Sequence, residues 1–362
     1  MCLQAAELRS HRAAEVATRL LATLEAPFTL KGVGLHVDAS IGIAVYPDHA
    51  ADATMLLQRA DVAMYQAKAA RTGWHLYETE PAETGRGRLQ TIEDLRAALT
   101  DNQLVLHYQP KVDTASGAVV GVEALVRWQH PTQGLLYPDT FLPLAEQTRL
   151  MRSLTSVVLQ TALEQVAAWR QEGLDLSVAV NLSVANLLDA HLPLEVARLL
   201  AAFGLTPNAL EVEITESTLM VDRVRSKEVL DALRGLGVRI AVDDYGTGYS
   251  SLAYLRELAV DELKLDKSFV IPMLADDGAA AIVQSTVELA HALGLRMVAE
   301  GVESEAHLRE LARLGCDVAQ GYHISRPVTA EQLGAWLRAP APTGQAGEAG
   351  RVATQQPATP PL

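Results

Sequence analysis

The spacing of apolar residues changes character several times along the chain. Between Glu7 and Leu24 they recur at helical spacing, which predicts an amphipathic helix. Ser40–Tyr46 (SIGIAVY) is a compact apolar run closed by Pro47-Asp48, the pattern of a buried strand. Asp52–Ala70 returns to helical spacing as one or two helices, and Pro81–Gly87 reads as a linker. From about residue 88 to 338, short apolar strands alternate with amphipathic helices. The predicted strands are Leu104–Val112, Val119–Trp128, Ser177–Leu182, Leu210–Thr215, Arg239–Asp243, Glu262–Leu265, Arg296–Ala299 and Asp317–Gln320.

Only the first two of these strands have no helical pattern between them. Asp113-Thr-Ala-Ser-Gly117 is too short for a parallel crossover, so that pair is expected to be an antiparallel hairpin. The other units repeat as βα, which implies a parallel sheet, and eight strands close a (β/α)8-type barrel. From about Ala339 the chain is rich in Pro, Ala, Gly and Thr and is expected to be a disordered tail.

Composition narrows the function. The chain has 362 residues, 49% of them hydrophobic, and a net charge of −14. A protein living on phosphate-backbone contacts is normally basic, so binding to a nucleic acid polymer is not expected. The only cysteines are Cys2 and Cys316, which supports neither a disulfide framework nor a cysteine zinc site. No apolar run has the length of a membrane span and no signal-peptide core is visible, so a cytoplasmic location is the expectation.

Polar residues at the C-terminal ends of barrel strands are where this kind of fold places chemistry. Glu123 lies in the second predicted strand, Asn181 ends the third, and Glu213 lies near the end of the fourth. Asp243 and Asp244 end the fifth, Lys264 is in the sixth, Glu300 ends the seventh, and Gln320 ends the eighth. Each has a plainer reading alone: a tolerated strand carboxylate, a helix cap, a salt-bridged lysine. The ordered set argues for a site, because unpaired buried carboxylates are costly and need a shared partner. Divalent cations supply one. An all-oxygen donor set favours Mg²⁺ or Mn²⁺ over zinc. Adjacent acids such as Asp243-Asp244 suit a two-metal site, with ions about 3.5–4 Å apart, of the kind that cleaves phosphate esters.

These residues sit in motifs that resemble the EAL-domain family of cyclic di-GMP phosphodiesterases. The carriers are Glu123-Ala124-Leu125 with Val126-Arg127, YQP at 108–110, NLS at 181–183 and EVEITES at 211–217. DDYGTGYSSL at 243–252, ELKLDKSFV at 262–270, VAEGVES at 298–304 and QGY at 320–322 complete the set. The resemblance spans residues 90–338. It implies a modified (β/α)8 TIM-type barrel with one antiparallel strand, and metal-dependent hydrolysis of cyclic di-GMP to linear 5′-pGpG. It implies Glu123, Asn181, Glu213 and Asp243 as ligands of one metal, Asp243 and Asp244 as ligands of a second, and Glu300 as a further ligand or general base. Lys264 resembles the lysine that holds the attacking water, with Gln320 nearby, and Glu216 the residue that anchors the DDYGTGYSS loop. Gln109, Leu125, Arg127, Glu303 and Tyr322 fall where the family contacts substrate. A homodimer is the expected assembly. The alternative is a catalytically silent member that senses cyclic di-GMP; silent members usually lose metal ligands, and these are present.

Residues 1–80 resemble the C-terminal half of a GGDEF (diguanylate cyclase) domain, through SIGIAVYPD at 40–48 and LLQRADVAMYQAKAARTG at 56–73. The chain has no Gly-Gly pair, so the signature hairpin is missing and no cyclase activity is expected. The expected order is a partial α/β segment at 1–80, a linker at 81–89, the barrel at 90–338 and a tail at 339–362. A half-domain also suggests a fragment of a longer protein.

Overall fold

The computed structural model describes residues 2–24, 28–30, 33–35, 39–47, 49, 53–70, 72–77, 82–219, 221–247, 255 and 257–338. The chain divides into two compact units, Met1–Gln90 and Thr91–Leu362.

In the first unit, β1 (Phe28–Leu30) and β2 (Val33–Leu35) form an antiparallel pair. β3 (Ile41–Ile43) and β4 (Trp74–Leu76) pair in parallel, and the helix Ala53–Ala70 connects them. The helix predicted from Glu7 runs over Cys2–Leu24. Its Ala17 packs with Ile43 and Val45 in a small core, bordered by Ile41, Trp74 and Leu76. The strand predicted over 40–46 is shorter than its apolar run because only 41–43 finds a partner strand.

The linker expected at 81–89 takes a different form. A helix covers Ala82–Ala98, through Gly85 and Gly87. Leu95 and Ala98 in its second half are buried in the core of the second unit, and that anchorage outweighs the weak helix preference of two glycines. The tail expected from 339 lies outside the described residues.

The second unit is a closed barrel. Its strands are β5 (Leu104–Asp113), β6 (Val119–His130), β8 (Val178–Leu182), β9 (Leu210–Thr215), β10 (Arg239–Tyr245), β11 (Glu262–Leu265), β12 (Arg296–Ala299) and β13 (Val318–Ala319). From β6 through β13 every neighbour pair is parallel. β5 is antiparallel to both β6 and β13, and it closes the ring. The expected hairpin is therefore the point of closure. Its turn is pinned by Asp113, whose Oδ1 accepts from the Ser116 backbone N–H at 2.8 Å and the Ser116 hydroxyl at 2.7 Å. Two short strands extend the edges: β7 (Gly134–Leu136) on β6, and β14 (Val328–Thr329) on β5.

Period-two alternation separates two interiors. Val178, Val180, Leu210, Val212, Ile214, Ile240, Val242, Leu263 and Leu265 face outward and build the apolar core against the surrounding helices. In that shell the Tyr108 and Trp169 rings meet edge-on at 4.9 Å. The alternate positions face the lumen, and many of them are charged. Barrel lumens are ordinarily filled by branched apolar side chains; here Glu213 and Lys264 are fully buried, with Glu123 6% and Gln320 3% exposed. No helix among the described residues is long and apolar enough to cross a membrane.

Candidate functional site

The polar residues predicted at the strand ends converge on Lys264. Its ammonium is fully buried and lies 2.9 Å from Glu213 Oε2, 3.1 Å from Asp243 Oδ1, 2.7 Å from Glu300 Oε1 and 3.7 Å from Glu123 Oε2. Those five groups come from five different strands or strand ends. Asn181 Nδ2 donates to Glu123 Oε1 at 2.7 Å, and Gln320 Nε2 donates to Glu123 Oε2 at 2.6 Å. Gln320 Nε2 also reaches Gln109 Oε1 at 3.1 Å, and Gln109 in turn donates to the Ser325 carbonyl at 3.0 Å. Glu123 is thus held on both oxygens.

Local backbone devices aim these groups. Past Asn181, the side-chain oxygen of Asn186 accepts from the Ser183 backbone N–H at 3.0 Å and the Ser183 hydroxyl at 2.7 Å, fixing the exit of β8. Between Val242 and Tyr245 the register of β10 against β11 shifts. A bulge of this kind re-aims side chains. Asp244 sits there at φ +55°, a region non-glycine residues rarely occupy, at a strain of about 1–3 kcal/mol. Asp243 and Asp244 thus lie in a strand rather than at a helix cap. Gly321 lets the loop after β13 meet the loop after β12. A Cβ there would lie 2.2 Å from the backbone N and O of Val302. The Val302 N–H donates to the Gln320 carbonyl at 3.1 Å, which holds Gln320 in line with the site.

The electrostatics follow from this crowding. Burial, reinforced by the Asp243 and Glu123 charges, pushes the Glu300 carboxyl up to about 8 although Lys264 opposes it. Burial and the Glu123 charge raise Glu213, and burial with the Asp243 charge raises Asp244. Burial would lower Lys264, but the carboxylates of Glu123, Glu213, Glu300 and Asp243 hold it well above its ordinary value, so it stays an ammonium.

The residues fit a divalent cation. Asp243, Asp244 and Glu300 each offer a carboxylate oxygen within 4.8 Å of the others. Among the described residues the buried Oε1 of Gln320 accepts no hydrogen bond. Oxygen-only donors of this kind suit a hard ion.

The remaining predicted residues lie apart from this cluster. Arg127 is buried on the same strand face as Glu123 and Leu125, with Nη1 donating to the Val126 carbonyl at 2.8 Å and its guanidinium 4.9 Å from the Tyr137 ring centre. Glu303 is exposed on the loop after β12. Tyr322 is 58% exposed, with the Arg326 guanidinium 4.7 Å from its ring centre. Glu216 is buried at the start of the short helix Glu216–Leu219. The loop it was expected to anchor lies, over 248–254, outside the described residues.

Sequence reading missed a second charge layer, in which Lys111, Glu211 and Glu262 are buried and the half-buried Arg239 and Arg296 pair with the two acids. The signal was available: Gln109/Lys111, Glu211/Glu213 and Glu262/Lys264 are pairs two apart on single strands, and such pairs share a face.

Comparison with known proteins identifies the families that the two parts of the chain match. Residues 92–327 match the EAL domain family, and residues 1–73 match the family described as diguanylate cyclase, GGDEF domain. The bifunctional diguanylate cyclase/cyclic di-GMP phosphodiesterase MucR of Pseudomonas aeruginosa is 44% identical over 323 residues, 89% of this chain and 47% of that protein. The cyclic di-GMP phosphodiesterase NbdA of the same organism is 40% identical over 340 residues, 93% of this chain and 43% of that protein. A solved structure described as the PaMucR phosphodiesterase in complex with c-di-GMP is 47% identical, with a TM-score of 0.64, over 67% of this chain and 99% of that one. The chain spans about half the length of the curated relatives it matches. Fold, strand-end residues and sequence matches together place the chain in the EAL domain family, preceded by a partial GGDEF domain.

Proposed function

We propose that this chain hydrolyses cyclic di-GMP to linear 5′-pGpG in a metal-dependent reaction. The observation that carries the reading is the convergence of Glu123, Glu213, Asp243 and Glu300 within 3.7 Å of the buried Lys264 ammonium, with Asp244 beside Asp243 and Glu300. The relatives named as cyclic di-GMP phosphodiesterases support it.

The reaction adds water across one P–O3′ bond. The water oxygen bonds to phosphorus and gives up a proton; the departing 3′ oxygen takes one. Glu123, Asn181, Glu213, Asp243, Asp244 and Glu300 would hold Mg²⁺ or Mn²⁺. Such ions, when bound, activate the attacking water and stabilise the leaving oxygen. Glu300 Oε, 2.7 Å from Lys264 Nζ and beside Asp243 and Asp244, is the proton acceptor. Lys264 Nζ keeps its charge and faces the carboxylates, so it offsets negative charge growing on the phosphoryl oxygens and orients the water. Gln320 and Asn181 clamp Glu123. Arg127, Leu125, Gln109, Glu303 and Tyr322 contact the dinucleotide, and Glu216 supports the loop after β10.

The test is chromatography of cyclic di-GMP incubated with purified protein and Mn²⁺. The expected product is pGpG, abolished by chelator and by Glu123→Ala. Binding of cyclic di-GMP without turnover in either metal would replace the enzyme by a sensor.

A further inference from the structure

Beneath the site the lumen holds a second cation, Lys111 of β5, which is 4% exposed. Its ammonium pairs with Glu211, lies 3.6 Å from Glu262 Oε1, and donates to Glu213 Oε1 at 3.2 Å. Glu213 therefore stands between two lysines. Lys111 takes one carboxylate oxygen from below, and Lys264 takes the other at 2.9 Å from above. A fully buried carboxylate with a cation on each oxygen has its plane fixed in the barrel. Glu211 and Glu262 have cations of their own below, Arg239 at 3.7 Å and Arg296 at 3.6 Å. Among the described residues, Glu213 has a cation on its lower oxygen only from Lys111.

We propose that Lys111 is a positioning residue for the reaction: it fixes Glu213 from beneath so that the carboxylate presents its upper edge to Lys264 and to the divalent cation. The assignment rests on the phosphodiesterase reading above and extends it to a residue that touches neither substrate nor metal. Residues that orient a metal ligand from behind change metal affinity or activity by about 10–100-fold when removed. Two other roles give different results. A cation acting only through its field would repel the metal, so its loss would tighten metal binding. A cation serving only to neutralise the lower layer would affect stability alone.

The experiment compares wild type, Lys111→Met and Lys111→Met/Glu211→Gln. The double variant removes the main floor carboxylate together with its partner, so the layer stays near balance while the Glu213 contact is lost. Three quantities are read: the thermal midpoint, Mn²⁺ affinity of metal-free protein by calorimetric titration with Mn²⁺ alone, and kcat and KM for cyclic di-GMP. Lys111→Met is expected to weaken Mn²⁺ and lower kcat by about tenfold or more, with KM changed by less than about threefold. The double variant should recover the thermal midpoint and neither Mn²⁺ affinity nor kcat. If Lys111→Met does not fold, the double variant decides. Recovery of wild-type kcat and Mn²⁺ affinity in the double variant overturns the proposal, as does tighter Mn²⁺ binding with unchanged kcat in either variant. Should wild type bind Mn²⁺ but leave cyclic di-GMP intact, the reaction assignment falls, while the Mn²⁺ titrations still judge Lys111.

Discussion

The barrel lumen holds two charge layers built from the same residue types, and they are balanced in opposite ways. The upper layer sets five carboxylates, Glu123, Glu213, Asp243, Asp244 and Glu300, against one lysine, Lys264. It opens to solvent, with the side chains of Asp243 and Glu300 13% and 19% exposed. The lower layer sets Glu211 and Glu262 against Lys111, Arg239 and Arg296. Burial alone is therefore no sign of function. The surplus of acid at an accessible end is: an excess of carboxylates calls for an external cation, while the lower layer carries its own cations and meets the site through the Lys111–Glu213 contact.

The contrast breaks first at Glu300. Glu300→Gln should lower turnover by about 10²–10⁴-fold while cyclic di-GMP affinity, measured by calorimetry, stays within a few fold. A near-normal rate would assign the proton to another group. Lys264→Met comes next, because it leaves the surplus uncompensated. Metal-free protein should lose about 3–5 kcal/mol in a urea titration, and excess Mn²⁺ should restore part of it.

A gentler probe is pH. Glu300 is raised from 4.5 to about 8 and Glu262 from 4.5 to about 7, both first by burial. Between pH 4.5 and those values the folded protein keeps protons that the unfolded chain has released. Stability of the metal-free protein should therefore fall as pH rises from about 5 to 8, read as a falling midpoint in a thermal melt. The Mn²⁺-induced gain should grow over the same range. A midpoint that climbs toward pH 8 without metal contradicts the upper layer's acid surplus.

The smallest effect separates the two floor acids. Burial raises Glu262, whereas Glu211, despite equal burial, is held below its ordinary value by Lys111 and Arg239. At pH 6, Glu262→Gln should change stability by less than about 1 kcal/mol, since burial favours the protonated form of this carboxyl, and Glu211→Gln by more. Equal losses would show that both carboxylates are ionised.

Much of this was readable from the chain. The antiparallel first pair followed from a turn too short to cross over, and the parallel remainder from regular βα alternation. The strand-end acids stood out because each breaks an apolar run. Other features were hidden for physical reasons. The helix Ala82–Ala98 contains two glycines and looks like a linker until Leu95 and Ala98 find the barrel core. Lys111 sits in a strand whose neighbours are apolar, and its value comes from Glu211, Glu213 and Glu262, about 100 or more residues away.

Sequence determined which side of each strand a residue occupies, because alternation is a local property of the extended backbone. It also determined which acids lie at strand ends, and hence the presence of a site. Only the closed barrel decided which charges meet. Curvature brings strands distant in sequence to within a hydrogen bond of one another across the lumen, and that distance sets both the state of Glu300 and the partners of Lys264.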